Sequence, residues 1–588
     1  MRLLRSPREI ADRSYQELRN VALWQMPPEL RVKRIPLVPL RRLPDPRSAA
    51  DWARGSEFER QVLDVAAQVR AHRFPLLGTV VETGREINWR RDYKSGRETG
   101  LDYFRRVPYL DAGKAGDHKI IWELNRHQHL VLLAQALLLS GDLANLIEIC
   151  DQLESWFAAN PYQRGINWAS ALEVAFRALS WVWVYHLVGD RFYNSLRERL
   201  LLQLQWHGHH LEVNLSFYFS PNTHLLGEAV ALHAIGTLFP EFARARHWRE
   251  LGAKVVRQQM ELQVRADGAH FEQSTYYHVY ALDMFRFHAL LEQTPPEYSA
   301  KLGRMVEFLD AVMGPARRLP YFGDDDGGRF FHPYGVHAEY GRATLATAGW
   351  VRDTADLLPQ AVWWLGPAAF DVPVQAGTWG PKMFPGIGLA VITDKDVQIV
   401  VDAGPFGPWS SGHSHSDSLS LTVRVGEEDV LIDAGTYTYM EDPRQRDWFR
   451  GSAAHNTIRI NGLDQAMPAG PFGWRNQPLV KILATSAYSV EAECAYSGFV
   501  HRRLVGYDRA TRKLRVEDRV SGGSGTHTLE QFWHFGTERA RERMKVSDPV
   551  GDFSSWASKA LLEKHSAPAS VVTRQGPLPL TMVAEFQL

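Results

Sequence analysis

Gly388-Leu389-Ala390-Val391-Ile392-Thr393, followed closely by Val397-Gln398-Ile399-Val400-Val401, marks a change of period in this chain. Both runs are short, rich in β-branched residues and separated by Asp, the pattern of strands in an antiparallel sheet. Leu419-Ser420-Leu421-Thr422-Val423-Arg424-Val425, Val430-Leu431-Ile432 and Lys513-Leu514-Arg515-Val516-Glu517-Asp518-Arg519-Val520 continue it. A C-terminal antiparallel β-sandwich is therefore expected over residues 373–588.

Upstream of the change the chain reads as helix after helix. Leu130 to Leu139, ending at Gly141, has the Leu/Ala content of a buried helix with a glycine stop. Ala171 to Val188 and Leu225 to Leu238 behave alike, the second stopped by Pro240. Paired helices with short connections from about residue 50 to 360, without a fixed-period repeat, point to a closed toroid. Pro and Gly cluster between Val372 and Gly380, placing the boundary there. The expected division is an N-terminal extension packing on the toroid (1–90), an (α/α) toroid (91–372) and the sandwich (373–588), a multidomain α+β protein. Its 588 residues are enough for more than one core, since single cores stop growing at roughly 250–300 residues.

Hydrophobic residues at 45% and charged residues at 23% exclude a disordered chain. The 67 basic and 67 acidic residues cancel, so no global field attracts a polyanion, and an anionic ligand must be held by local groups. No nucleic-acid partner is expected. No apolar window approaches the roughly 20 residues of a membrane span, so no membrane partner is expected either. The stretch from Met1 to Ile10 lacks a signal-peptide core, which favours a cytoplasmic location or export by another route. Cys150 and Cys494 read as buried thiols rather than a disulfide. The 19 Trp, 20 Tyr and 27 Phe offer flat faces on which sugar rings stack, although most aromatics fill cores.

Gly412-His413-Ser414-His415-Ser416-Asp417-Ser418 places two imidazoles and a carboxylate at alternating positions. Along an extended strand such positions share one face. With Asp433 before the turn at Ala434-Gly435, and His455 ahead of another strand-like run, they form a His/Asp set suited to a divalent metal such as Zn or Mn. In the helical half, Ser220-Pro221-Asn222-Thr223-His224 opens a helix, and capping alone would explain Asn222. Phe271-Glu272-Gln273-Ser274-Thr275-Tyr276-Tyr277-His278 is dense enough in polar groups to mark a cleft. In Trp122-Glu123-Leu124-Asn125-Arg126, Arg126 has two equal readings: a fork for a ligand carboxylate, or an internal pair with Glu123 or Glu173. Gly323-Asp324-Asp325-Asp326-Gly327-Gly328 lacks the spacing of a calcium loop and reads as a structural turn, with lining of the cleft as the lesser alternative.

Asn222-Thr223-His224, the segment Phe271 to His278, His413-Ser414-His415-Ser416-Asp417 and Ala454-His455-Asn456-Thr457 together resemble the heparinase II/III group of polysaccharide lyases, over residues 120 to 470. The resemblance implies a toroid, a β-sandwich and a cleft between them that performs β-elimination on an anionic uronic-acid polysaccharide: hyaluronan, chondroitin sulfate, heparan sulfate or alginate. It implies that Asn222 neutralises the C6 carboxylate, that Tyr277 is the catalytic acid and, for syn elimination, also the base, and that His413 is a second base or stabiliser. His224 shares the carboxylate or base role. Trp122, Arg126 and Glu272 are the candidate substrate-binding residues, and His415, Asp433 and His455 the implied metal ligands. Two departures are visible: Thr223 separates Asn222 from His224, and Tyr276 adjoins Tyr277, so the tyrosine assignment is open by one position. The competing classes are a glycoside hydrolase, for which Glu272 and Asp324 are the only nominated carboxylate pair, and a non-catalytic glycan-binding or polysaccharide-assembly protein.

Overall fold

The computed structural model describes residues 5–330, 337–353, 358–375 and 377–588. Long apolar helices alternate with amphipathic ones. Gln128–Ser140, Ala171–Val188, Thr223–Leu238 and Thr275–Leu291 are apolar nearly all round, and each packs on the next. A helix without a polar face must be covered on every side. The covering layer includes Ala144–Ala159, Asn194–Asn214, Ala245–Gln263 and Pro296–Met313. The inner ring continues through Tyr340–Thr347 and Pro359–Leu365 to Pro46–Ala53, which returns to Gln128–Ser140 and closes the toroid. Gly141, at φ 73°, ends the first inner helix by the left-handed cap that glycine adopts without strain.

The C-terminal region is antiparallel throughout its sheets. A five-stranded sheet runs Lys382–Phe384, Leu389–Asp394, Val397–Asp402, Leu421–Val425 and Glu428–Leu431 in sequence order. A six-stranded sheet, centred on Phe499–Asp508 and Lys513–Gly522, and a four-stranded sheet containing Thr526–His534 complete the sandwich. Leu389–Asp394 is buried at every position, whereas Phe499–Asp508 buries alternate residues. The register explains the difference. Ala390 pairs with Val401 and Ile392 with Ile399, and these four enter the sandwich core. Val391 pairs with Val400 on the opposite face, where they meet Phe308, Ala311 and Val312 of the helix Pro296–Met313. Each such apolar side chain taken from water contributes roughly 1.5–3 kcal/mol, so the sheet welds toroid to sandwich.

Three expectations need correction. Residues 412–420 form turns rather than a strand: Leu419 sits at φ 66°, Ser414 N–H donates to Ser411 O, and the strand starts only at Leu421. Cys150 is half-buried, and only Cys494 is a fully buried thiol; both are free. The acidic turn at Asp324 is not merely structural, as its partners below establish. Among the described residues, no helix is long and apolar enough to cross a membrane.

Candidate active site

A cleft of about 1110 Å³ opens where the toroid faces the sandwich, and Trp122, Asn222, His224, Glu272, Tyr277 and His413 all line it. The toroid contributes helix starts. Asn222 caps Thr223–Leu238, its Oδ1 accepting from the His224 N–H at 3.1 Å, which leaves its Nδ2 to donate to Glu272 Oε1 at 2.6 Å. Capping and site chemistry thus use different atoms of one amide. Ser274 caps Thr275–Leu291 by accepting from the Tyr277 N–H, which sets the first turn so that Tyr277 projects to the cleft. Tyr276 turns away, its hydroxyl donating to the Gly328 carbonyl.

The sandwich contributes His413, whose ring stacks on Tyr277 with centroids 3.8 Å apart. Its Nδ1 lies 3.2 Å from Asp324 Oδ2 and its Nε2 3.5 Å from Glu272 Oε1. Burial alone would lower the His413 pKa, but the hydrogen bond to Asp324 and the charge of Glu272 raise it above the ordinary value. His224 moves the other way: burial, then the nearby His413 charge, push it down to about 4. Two imidazoles in one cleft are therefore set apart, one biased to its cation and one neutral, the separation that assigns acid and base roles. Burial, then the charge of Asp326, holds the Tyr277 phenol well above its usual pKa, so it carries its proton. The Tyr439 hydroxyl lies 3.3 Å from that of Tyr277.

Asp324 is the hub behind this wall. Arg446 grips its carboxylate with both terminal nitrogens, Nη2 at 2.8 Å from Oδ2. His415 Nε2 lies 2.9 Å from Oδ1, so His413 and His415 bind the two oxygens of one carboxylate. Burial would raise the Asp324 pKa, but Arg446 and the two histidines hold it well below the usual carboxylate range. Arg446 and Tyr439 left no readable signal in the sequence, Arg446 being one of three arginines between Arg444 and Arg450 and Tyr439 the second of two alternating tyrosines after a turn. Asp324 had one: its flanking glycines, of which Gly323 takes φ 68° where an added Cβ would strike the backbone of Gln273 and His413.

The remaining sequence candidates fall as follows. Arg126 lines the cleft, but its Nε and Nη2 donate to Glu173 at 2.7 and 2.8 Å and its Nη1 lies 3.1 Å from Glu123. The internal pair is the reading the geometry shows, and that fork is not available to a ligand carboxylate. Glu272 spends its oxygens on Asn222, Thr223 and His413, so it orients those groups. Trp122 donates to the Ile166 carbonyl at 3.1 Å and presents a largely covered ring.

His415, Asp433 and His455 offer ligand atoms within 4.8 Å of one another, all three residues buried. Asp433 accepts from His455 Nδ1 at 2.7 Å, while His415 Nδ1 and His455 Nε2 are buried without a hydrogen-bond partner among the described residues. Asp417 adds a further buried carboxyl beside both histidines. Two orphaned imidazole nitrogens facing carboxylates fit a divalent cation by donor chemistry. Asp324, on the far nitrogen of His415, would then be the outer partner that fixes the ring.

Comparison with known proteins fits this geometry. The model of the heparinase II/III N-terminus matches residues 44–329, and the model of the heparinase II/III-like C-terminal region matches residues 376–575. A heparin-sulfate lyase of Bacteroides stercoris is 24% identical over 458 residues, 70% of this chain and 64% of the relative. One from Pedobacter heparinus is 25% identical over 61% of this chain and 56% of its own length. The matched region thus spans somewhat under two thirds of these relatives. The crystal structure of heparinase III superposes with a TM-score of 0.66 at 17% identity, covering 98% of this chain and 90% of that one. That of heparan sulfate lyase HepC from Pedobacter heparinus gives 0.54 at 19% identity, covering 92% and 87%. At such identities the superpositions speak for the toroid-plus-sandwich fold.

Proposed function

The chain belongs to the heparinase II/III-like family, and from that premise we propose that it is a polysaccharide lyase cleaving uronic-acid-containing glycosaminoglycans by β-elimination. The observation that carries this reading is the convergence of Asn222, His224, Tyr277 and His413 from two domains on one cleft. Elimination removes the C5 proton of the uronate, leaves its electron pair as the C4–C5 double bond, and expels the C4 oxygen, which takes up a proton. The Asn222 amide and the His413 ring, biased toward its cation, face the carboxylate and stabilise the charge that develops on it. Neutral His224 accepts the C5 proton, and the Tyr277 phenol protonates the departing oxygen. Heparan sulfate heads the substrates to be tried, since the curated relatives are heparin-sulfate lyases.

A divalent metal, zinc or manganese, is part of the proposal, held by His415, Asp433 and His455. When bound it would supply the positive charge that makes these three residues one rigid unit. The hydrolase reading loses its nominated pair, because Asp324 is locked between Arg446 and two histidines behind the wall, while Glu272 lines the cleft.

The test is incubation with heparan sulfate, chondroitin sulfate, hyaluronan and alginate. A new ultraviolet absorbance from the conjugated alkene, in products whose mass shows no added water, is expected with at least one. Saturated products throughout would replace the lyase by a hydrolase, and binding without shortening of any chain would leave a glycan-binding protein.

A further inference from the structure

The cleft continues well past Tyr277. Its far end is walled by Pro7–Gln25, a helix outside the residues matched by the family, and by the segment 214–219. This helix is built into the wall: Asn20, fully buried, exchanges side-chain hydrogen bonds with Asn214 at 2.8 and 2.9 Å, and Gln16 donates to the Val213 carbonyl at 2.9 Å. Arg8, Asp12, Tyr15 and Arg19 follow at helical spacing and line the cleft as one stripe.

The two ends of the cleft differ in charge. Among the described lining residues, the far end has Arg8, Arg13, Arg19 and Arg105 against Asp12 and Glu212, with Glu228 bonded to Ser216, whereas the catalytic end has Lys119, Arg126 and His413 against Glu173, Glu272 and Asp326. Arg13 and Arg105 are spent on Glu9 and Glu17 at 2.7 and 2.8 Å, but Arg19 shares Glu212 with Arg244, and Arg8, 89% exposed, lies 3.9 Å from Asp12, so these two guanidiniums keep donors for an anion. Tyr15 (64% exposed) and Phe219 (62%) project uncovered beside these arginines, an arrangement no folding role requires. At the floor, His210 is fully buried, and neither ring nitrogen has a hydrogen-bond partner. Asn214 and Asn222 are eight positions apart, so their Cα atoms lie at most about 28 Å apart.

We propose that Pro7–Gln25 and the segment 214–219 form a distal subsite that holds an anionic sugar of the same polymer, several units from the bond that is cleaved. Arg8 and Arg19 meet its sulfate or carboxylate, Tyr15 and Phe219 stack on its ring, and His210 supplies a polar floor. The helix thereby makes the enzyme select for chain length. This inference rests on the lyase reading above for its substrate.

The experiment compares heparan sulfate tetrasaccharide and dodecasaccharide on the full chain, using Arg8→Ala/Phe219→Ala and a triple variant that adds Arg19→Ala. Loss of two weak surface ion contacts and one stacking face predicts a dodecasaccharide KM raised about tenfold in the triple variant. The kcat and the tetrasaccharide kinetics stay unchanged. An equal rise in KM for both lengths, or no rise for either, overturns the distal subsite. If the wild type cleaves neither, the lyase reading fails, and retention of a fluorescent dodecasaccharide decides the subsite: weaker binding by the triple variant supports it, equal binding overturns it.

Discussion

Two arginines, each buried to the last atom, keep different company. Arg177, in the toroid core, has no carboxylate at hydrogen-bond distance among the described residues. It donates to His207 at 3.0 Å and to the Asn167 carbonyl at 2.8 Å, and its guanidinium lies 4.5 Å from the Trp156 ring centroid. Burial pulls it down to about 9. Arg446, at the domain junction, is paired with Asp324 and held above its ordinary pKa, although burial opposes this. The first serves packing, as a cation wrapped in tryptophan. The second neutralises a carboxylate whose two oxygens aim one histidine at the cleft and another toward the proposed metal site. A buried charge that is fully paired can act as a fixed point for groups that are not.

The sharpest break of this comparison lies in front of Asp324. Tyr277→Phe removes only a proton donor, so turnover should fall about 10²–10⁴-fold, with the thermal midpoint unmoved. Full activity in this variant would shift proton delivery to Tyr439. Arg446→Met leaves Asp324 uncompensated and should cost about 3–5 kcal/mol in denaturant unfolding, with a large loss of kcat. Arg177→Met strands acceptors rather than a charge and should cost about 1–3 kcal/mol with kcat retained in the folded fraction. If the two arginine variants lose kcat alike, the distinction between them is void.

A third buried titratable group gives a pH effect whose sign can be checked. Glu228 accepts from the Ser216 N–H and hydroxyl at 2.7 Å each, and burial raises it to about 8. The folded state therefore binds its proton more tightly than the unfolded chain does, and stability falls as pH rises from its unfolded pKa towards 8. Glu228→Gln should gain on the wild type over that window by on the order of a few kcal/mol, read as the difference between two denaturation series at pH 5 and pH 8. A constant difference would show that Glu228 is ionised throughout.

The change of period at Gly388 was legible because buried strands and buried helices differ in length and in β-branched content. The cleft residues were legible as a set because histidines, tyrosines and an amide crowd into short segments. Asp324 was misread as a plain turn, since its importance comes from Arg446, His413 and His415, which lie about ninety or more positions away in the chain. His413 and His415 reach one carboxylate, Asp324, from a pair of turns, a convergence that strand alternation did not give. The Arg126 fork looked equally fit for a ligand or for Glu173, and only the packing of two helices separates those alternatives.

The sheet that buries Val391 and Val400 on one face and Ala390 and Val401 on the other has a consequence for how the molecule can be divided. Topology counts two domains there, but a cut near residue 380 would strip an apolar surface from each product, and neither half would stay in solution as a tractable fragment. Melting should proceed as one cooperative event across the seam. Engineering by exchange with a relative would have to carry the helix Pro296–Met313 along with the sandwich it supports.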